Sequence, residues 1–100
     1  MNEAVKIADW NSVQCPSCGD PNGMHHRGVH VANRTAEDRD GFLVTVTDST
    51  VQMSPLSDER FYGRRDDVRI DFECEICGPV AQLLIVQHKG RTILRWEPLT

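Results

Sequence analysis

The sequence predicts an all-β fold, an antiparallel sheet built around two copies of one cysteine motif. Three observations predict it: short β-branched runs alternate with polar residues, no segment has a convincing helical period, and C-x-x-C-G occurs at residues 15–19 and 74–78. Because 100 residues is the size of one domain, we expect residues 1–100 to form a single unit with a modest core.

The two cysteine motifs predict one metal site. Two thiolates three positions apart on a tight turn can bind one tetrahedral ion at about 2.3 Å per sulfur, and the glycine that follows permits a positive φ. Two such half-sites make one site for a single structural Zn²⁺, with four ligands: Cys15, Cys18, Cys74 and Cys77. Protein then fills every coordination position, so the ion is predicted to be structural and not catalytic.

Other uses of the cysteines compete with zinc. Disulfides are disfavoured because residues 1–10 do not resemble a secretory signal, and a redox site is disfavoured because neither motif opens a helix in a β-α-β unit. A rubredoxin-like iron site would use the same four thiolates, and ligand type does not separate iron from zinc. The chain has one tyrosine, whereas such iron sites sit in an aromatic-rich core, which favours zinc.

The 55 residues between Cys18 and Cys74 are predicted to carry structure of their own, because a structureless loop of that length is improbable. Segments with strand character follow one another there: residues 28–34, 42–47 and 50–53. Asp48-Ser49 is a turn signal between the last two. Two polar segments are predicted as loops: residues 35–41 and 54–65. Residues 1–9 are ambiguous.

A cleaner three-stranded unit follows. One face of its first strand is apolar and ends in a cysteine, through Val68, Ile70, Phe72 and Cys74. The other face reads as the solvent side, with Arg69, Asp71, Glu73 and Glu75. Residues 80–86 and 92–96 form the next strands, joined by a turn in which Gly90 supplies a positive φ. Three antiparallel strands leaving a cysteine knuckle make a zinc β-ribbon, and the long insertion adds further antiparallel strands.

The two C-x-x-C-G knuckles and the ribbon of residues 68–97 resemble those of zinc-ribbon proteins. Several short motifs also resemble a group of small uncharacterised proteins encoded by bacteria and their phages: Cys15-Pro-Ser-Cys18, His25-His26, Arg64-Arg65-Asp66, Phe72-Glu73-Cys74-Glu75 and Gln87-His88-Lys89-Gly90. The resemblance implies a cytoplasmic zinc-ribbon protein, of an accessory kind, from a mobile element. It implies no activity, because zinc ribbons include both nucleic-acid binders and protein adaptors.

The charge balance favours a protein partner. Eleven basic and fifteen acidic residues give −4, and four thiolates with a divalent cation bring the total to −6. A negatively charged surface repels phosphates over about 8 Å at physiological salt. Non-specific nucleic-acid binding driven by counterion release is therefore disfavoured. We therefore predict a non-catalytic, cytoplasmic, protein-binding module. No apolar run approaches the about 20 residues of a membrane helix, and a free sheet edge leaves a homodimer open.

Nucleic-acid binding through basic clusters is the alternative. The candidate contact residues, for nucleic acid or for another partner, are His25, His26, Arg27, Arg64, Arg65, His88, Lys89 and Arg91. Ordinary solvated charge explains them as well, with Asp66 and Asp67 offsetting the neighbouring arginines. A second metal or a general base at the histidine pair is disfavoured because the sequence places no carboxylate beside it. An HNH-like nuclease is disfavoured because its helix is missing, and Trp96 is expected in the core.

Overall fold

Seven strands within the described residues, which are 3–34, 41–56 and 66–99, form one antiparallel sheet in the computed structural model. The strands are β1 (Glu3–Ala4), β2 (Met24–Arg34), β3 (Gly41–Thr47), β4 (Thr50–Pro55), β5 (Asp67–Cys74), β6 (Gly78–His88) and β7 (Arg91–Glu97). The only helical segment in these ranges is a short 3-10 turn at Asp9–Asn11. The predicted all-β class is therefore confirmed. The described part contains no helix that could traverse a lipid bilayer.

The sheet consists of two three-stranded meanders that meet edge to edge, with the two-residue β1 added beside β7. Its order is β1-β7-β6-β5-β2-β3-β4, and the two meanders join where β2 pairs with β5. The strands β2, β3 and β4 all lie between Cys18 and Cys74, which confirms that the insertion carries strands of its own. The insertion therefore extends the sheet of the ribbon.

Both tight turns that the sequence predicts are present. Asp48 and Ser49 have φ of 48° and 63°, and Lys89 and Gly90 have φ of 50° and 79°. Two consecutive left-handed residues match the right-handed twist of the strands that they join. The turns therefore fix the register of β3 against β4 and of β6 against β7.

Several strands are longer than predicted; β6, for example, spans Gly78–His88 where residues 80–86 were predicted. β2 begins at Met24, ahead of the predicted start at Gly28, so the histidine pair lies within the strand. β4 continues to Pro55, where a loop was predicted. Pairing of Ser54 and Pro55 with Leu43 and Phe42 on β3 extends this strand. The rest of the predicted loops, residues 35–40 and 57–65, lies outside the described residues.

A hydrophobic cluster lies on one face of the sheet, at the end that carries the cysteines. Its buried residues Ala81, Leu83 and Trp96 are joined there by partly buried neighbours: Val5, Val13, Met24, Ile70, Phe72 and Val80. Ala32, Leu84 and Val86 are also buried, but on the opposite face, which they share with Asp67 and Arg69. Trp96 is 1% exposed, so its predicted core position is confirmed. The two valines of the N-terminal segment bring that segment over the sheet, where an isolated bridge joins Ile7 to Val13.

The predicted solvent face of β5 is partly wrong. The alternation is as predicted, but Arg69 is only 3% exposed and Asp67 is fully buried. A guanidinium nitrogen of Arg69 donates a hydrogen bond to Glu97 on β7 at 2.8 Å and another lies 3.8 Å from Asp67. Asp67 therefore faces a buried cation on its own strand, and the arginines expected to neutralise it, Arg64 and Arg65, lie outside the described residues.

We expect Asp67→Asn to remove a pH dependence of stability. Burial raises the pKa of Asp67 to about 6, against the opposing charge of Arg69. Since that value lies above the ordinary 3.8, the folded chain binds more protons than the unfolded chain between these values, and the free energy of unfolding falls by about 3 kcal/mol as pH rises through this window. Urea unfolding of both metal-loaded proteins measures the effect.

The two proteins share the pH dependence of their metal site, so their difference isolates Asp67. The stability of Asp67→Asn relative to the parent is expected to rise by about 1 kcal/mol between pH 5 and pH 7. A difference that stays constant between these two pH values would show that the buried carboxyl has an ordinary pKa.

Candidate metal centre

The two cysteine motifs lie side by side at one end of the sheet. The first occupies the loop before β2, and the second forms the turn between β5 and β6. Met24, at the start of β2, pairs with Cys74, and the Glu75 N–H donates a hydrogen bond to the Gly23 carbonyl at 2.9 Å. The pairing of β2 with β5 thus brings together motifs that are distant in sequence.

The four sulfur atoms lie within 4.8 Å of one another. Cys15 and Cys77 have their sulfurs 4.0 Å apart, and those of Cys18 and Cys74 are 3.7 Å apart. Thiolates about 2.3 Å from one tetrahedral ion lie about 3.8 Å from each other, so the donor set fits such an ion. All four cysteines are free. The two separations are nearly twice the length of a disulfide bond, about 2.05 Å, so the arrangement favours a metal site over disulfides. The cysteines are positioned to bind one metal ion.

Each motif contributes one buried and one exposed cysteine. Cys15 and Cys74 are 3% and 1% exposed, whereas Cys18 and Cys77 face solvent. The buried pair is part of the hydrophobic interior, and the exposed pair completes the cluster from outside. The site therefore lies at the surface of the core, where a bound ion would join the first motif to the ribbon.

Backbone hydrogen bonds prepare the first motif for a thiolate. Burial opposes ionisation of Cys15, but the backbone N–H groups of Cys18 and Ser17 lower its pKa to about 7. The Ser17 N–H lies 3.4 Å from the Cys15 sulfur. Such donors stabilise the charged form of a thiol, as they do for a carboxylate. The motif thus holds negative charge at the position where a cation would bind.

The exposed cysteines keep their protons more strongly. A backbone hydrogen bond at Asp20 favours the thiolate of Cys18, but burial and the sulfurs of Cys15 and Cys74 outweigh it and raise the pKa of Cys18. Hydrogen bonding to Cys18, followed by burial and the Cys15 sulfur, raises the pKa of Cys77 to about 12. Crowded sulfurs resist further negative charge, so a cation is the group that would let all four ionise together.

The glycine after each second cysteine adopts the left-handed conformation. Gly19 and Gly78 have φ of 80° and 79°, which confirms the role predicted for them. A Cβ at either position would meet no heavy atom within 4 Å. Glycine is therefore required here by backbone conformation and not by space.

We expect Gly78→Ala to reduce the free energy of unfolding of the metal-loaded protein by about 1–2 kcal/mol, the cost of a left-handed alanine. Gly78→Asn is the matched control and should cost less, because asparagine tolerates this conformation. Urea denaturation with metal in excess measures both. Equal losses for the two variants would contradict the conformational explanation.

The histidine pair does not join the cysteine cluster. His25 Nε2 lies 2.8 Å from a carboxylate oxygen of Glu75, so the expectation that no carboxylate stands beside the pair is wrong. His26 packs edge-on against Phe72, with ring centroids 6.3 Å apart. Among the described residues, only the four cysteines form a group of three or more potential metal ligands that lie close enough to share one ion. The pair therefore gives no support to a second metal site.

Sequence reasoning gave no role to His30, which lies in a polar network across four strands. Its Nε2 lies 3.0 Å from Asp71 on β5, and its Nδ1 lies 3.3 Å from the Thr45 hydroxyl on β3. Gln82 on β6 donates a hydrogen bond to Asp71 at 2.7 Å. The alternation of Val29 and Val31 places His30 on the polar face, but its partners follow from strand pairing that no local signal reveals.

The candidate basic residues fall at opposite ends of the sheet. At the knuckle end, Arg27 forms an ion pair with Glu73 at 2.9 Å. His88, Lys89 and Arg91 are exposed at the turn between β6 and β7. His26 lies level with Ala81 on β6 through their shared partner Phe72, so seven positions of β6, about 23 Å, separate it from His88. Arg64 and Arg65 lie outside the described residues, and the candidates within the described residues do not form one patch.

A cavity of about 220 Å³ lies beside the first motif. Lys6, Gln14, Cys15 and Trp96 are among the residues that line it. Small-molecule sites are usually about 300–1,000 Å³, so this cavity is smaller than a typical ligand site. The cavity lies between the first cysteine motif and the core residue Trp96, and both contribute to its lining.

Comparisons of the chain with protein-family models, with curated proteins and with solved structures find no match. The sulfur cluster and the pairing of β2 with β5 are the two features of the chain that bear on its function.

Proposed function

We propose that this chain is a small zinc-binding module with a structural ion, and that it serves without catalysis as an accessory or adaptor that binds another protein in the cytoplasm. The four-sulfur cluster carries the proposal. Four thiolates fill the coordination positions of Zn²⁺, so no position remains for water or substrate. The accessory character, and an origin in a phage or other mobile element, follow the resemblance noted from the sequence.

Zinc is proposed over iron because the chain is poor in the aromatic residues that surround rubredoxin-like iron, with six in all. Anaerobic metal analysis of untagged protein is expected to find one zinc per chain. Iron in place of zinc, with the absorbance of a ferric thiolate site, would overturn the zinc assignment and support an electron carrier. Substantially less than one ion per chain would overturn the metal site itself.

A protein partner is favoured by charge. The chain carries −4 before metal binding. At the knuckle end Arg27 and His25 already face Glu73 and Glu75, at 2.9 Å and 2.8 Å, so part of the basic surface there is offset by acidic side chains. Such exposed pairs add little stability, but they lower the local positive potential that phosphates would need.

Affinity capture of the metal-loaded chain from its host, with and without nuclease treatment, tests the protein-binding role. We expect a protein that co-purifies in both conditions and is lost when the unlabelled chain competes. Retention that nuclease treatment abolishes would contradict a direct protein contact and favour nucleic acid.

Nucleic-acid binding is the second candidate, because His88, Lys89 and Arg91 stand exposed together at the turn between β6 and β7. A titration with mixed DNA and RNA at low salt is expected to show no binding. Binding that weakens steeply with salt, and weakens again in Lys89→Gln/Arg91→Gln, would establish this alternative. Cleavage of the nucleic acid in the same assay would point to nuclease chemistry.

A further inference from the structure

Within the described residues, the strand β4 forms one edge of the sheet and carries no charged side chain. All six of its residues are exposed, including Val51 at 67% and Met53 at 71%. Edge strands are commonly guarded by lysines and other charges that prevent pairing with another chain. In the hairpin of residues 41–56 the one charged residue is Asp48, at the turn. Among the described residues no strand covers this edge, and Pro55 guards only its C-terminal end.

The hydrogen-bonding phase of β4 follows from one bond. The Leu56 N–H donates to the Gly41 carbonyl at 2.8 Å, which makes these two residues a hydrogen-bonded pair. Hydrogen-bonded and non-hydrogen-bonded pairs alternate along an antiparallel ladder, so Gln52 bonds to Thr45 opposite it. The N–H and C=O groups of Val51 and Met53 consequently point away from β3, toward the side where the described residues provide no further strand.

We propose that β4 is a self-association surface, on which two copies of the chain pair their β4 strands antiparallel about a twofold axis at Gln52. Val51 of one copy then lies opposite Met53 of the other. Their outward N–H and C=O groups satisfy each other, and the sheets of the two copies become continuous. This inference does not depend on the proposed protein-binding role or on the identity of the metal.

The β4 edge is self-complementary, which favours a second copy of this chain as its binding partner. The Gln52 register sets apolar Val51 against apolar Met53 and brings no like charges together, because the nearest charged residue is at the turn. A twofold at Met53 would place Pro55, which has no N–H, in a hydrogen-bonding position. A twofold at Val51 would set Met53 against the turn residue Ser49. The Gln52 register is therefore the one that uses both outward residues fully.

The expected dimer is weak. One strand of six residues offers less contact than the about 1,600 Å² of a standard interface. We expect dissociation constants between about 1 μM and about 1 mM. Sedimentation velocity of the metal-loaded full chain across this range should show a reversible monomer–dimer equilibrium. The amide protons of Val51 and Met53 should exchange more slowly as the dimer forms.

Charge changes on the edge test the register. In Val51→Lys/Met53→Lys, like charges would oppose each other, and we expect dimerisation to weaken at least about tenfold. In Val51→Glu/Met53→Lys, each carboxylate would face an ammonium of the other copy, and we expect the dimer to return. Leu94→Lys is the matched control, since it charges an exposed apolar residue on β7, 46% exposed, and should leave dimerisation unchanged.

A chain that stays monomeric throughout the concentration range overturns the proposal. A dimer that persists in Val51→Lys/Met53→Lys overturns the choice of β4. Failure of Val51→Glu/Met53→Lys to restore a dimer that the double lysine variant loses overturns the Gln52 register. Circular dichroism of every variant, compared with the parent, confirms that the sheet itself is retained.

Discussion

Chelation of the metal is expected to unfold this protein. Structural zinc sites contribute on the order of 10 kcal/mol to folding, which is comparable with the about 5–15 kcal/mol of total stability in a small domain. The buried hydrophobic residues of the chain include two of the ligands themselves, Cys15 and Cys74. Far-UV circular dichroism and amide chemical-shift dispersion should collapse with a strong chelator and recover when zinc is restored.

Serine substitutions distinguish the contribution of a cysteine as a metal ligand from its contribution as a buried side chain. Cys74 is 1% exposed and Cys77 faces solvent, so the two differ in burial but would share the ion. We expect Cys77→Ser to abolish stoichiometric metal binding and to destabilise the fold by several kcal/mol, nearly as much as Cys74→Ser. Thermal unfolding and metal analysis of both variants provide the measurement.

The outcome distinguishes two origins of stability. Were the cysteines mainly packing residues, Cys74→Ser alone would be costly and Cys77→Ser would be almost neutral, as surface substitutions usually are. A Cys77→Ser protein that melts like the parent would therefore refute the structural ion. The exposed position of Cys77 makes it the more informative of the two substitutions.

The features predictable from sequence are those with a local signal. The spacing of the cysteines predicts that four sulfurs converge. Two thiolates on one turn fill two of the four coordination positions of a tetrahedral ion, so a second pair is needed. Asp48-Ser49 and Gly90 mark turns whose left-handed φ values the structure shows. The alternation in β5 identifies which side chains share a face, since successive residues in a strand point to opposite sides.

What the sequence could not predict depends on pairing between distant strands. β2 starts at Met24 because it pairs with β5 beside the second knuckle, although its histidines and arginine carry no strand signal. The same pairing gives His30 its carboxylate partner. Arg69 looks like a solvent residue until β7 supplies Glu97 across the sheet. In each case the partner lies far along the chain, where a local pattern contains no information about it.

Trp96 connects the metal site to the core. It is 1% exposed, its ring meets Phe72 edge-on with centroids 5.4 Å apart, and it lines the cavity that also contains Cys15. It lies opposite Leu83 on β6 and opposite Glu3 on β1. The side chain thus contacts the hydrophobic interior directly below the first knuckle, while Trp10, the other tryptophan, is 97% exposed.

We expect Trp96→Ala to destabilise the metal-loaded protein by about 3–5 kcal/mol, because truncation of a buried aromatic loses both its transfer free energy and the contacts around the cavity left behind. Trp10→Ala is the matched control and should change stability by less than about 0.5 kcal/mol. Urea unfolding measures both, and fluorescence of each variant reports the remaining tryptophan: Trp96 should emit at shorter wavelength than Trp10. Comparable losses in the two variants would contradict a core built on Trp96, since the two side chains differ in burial and not in size.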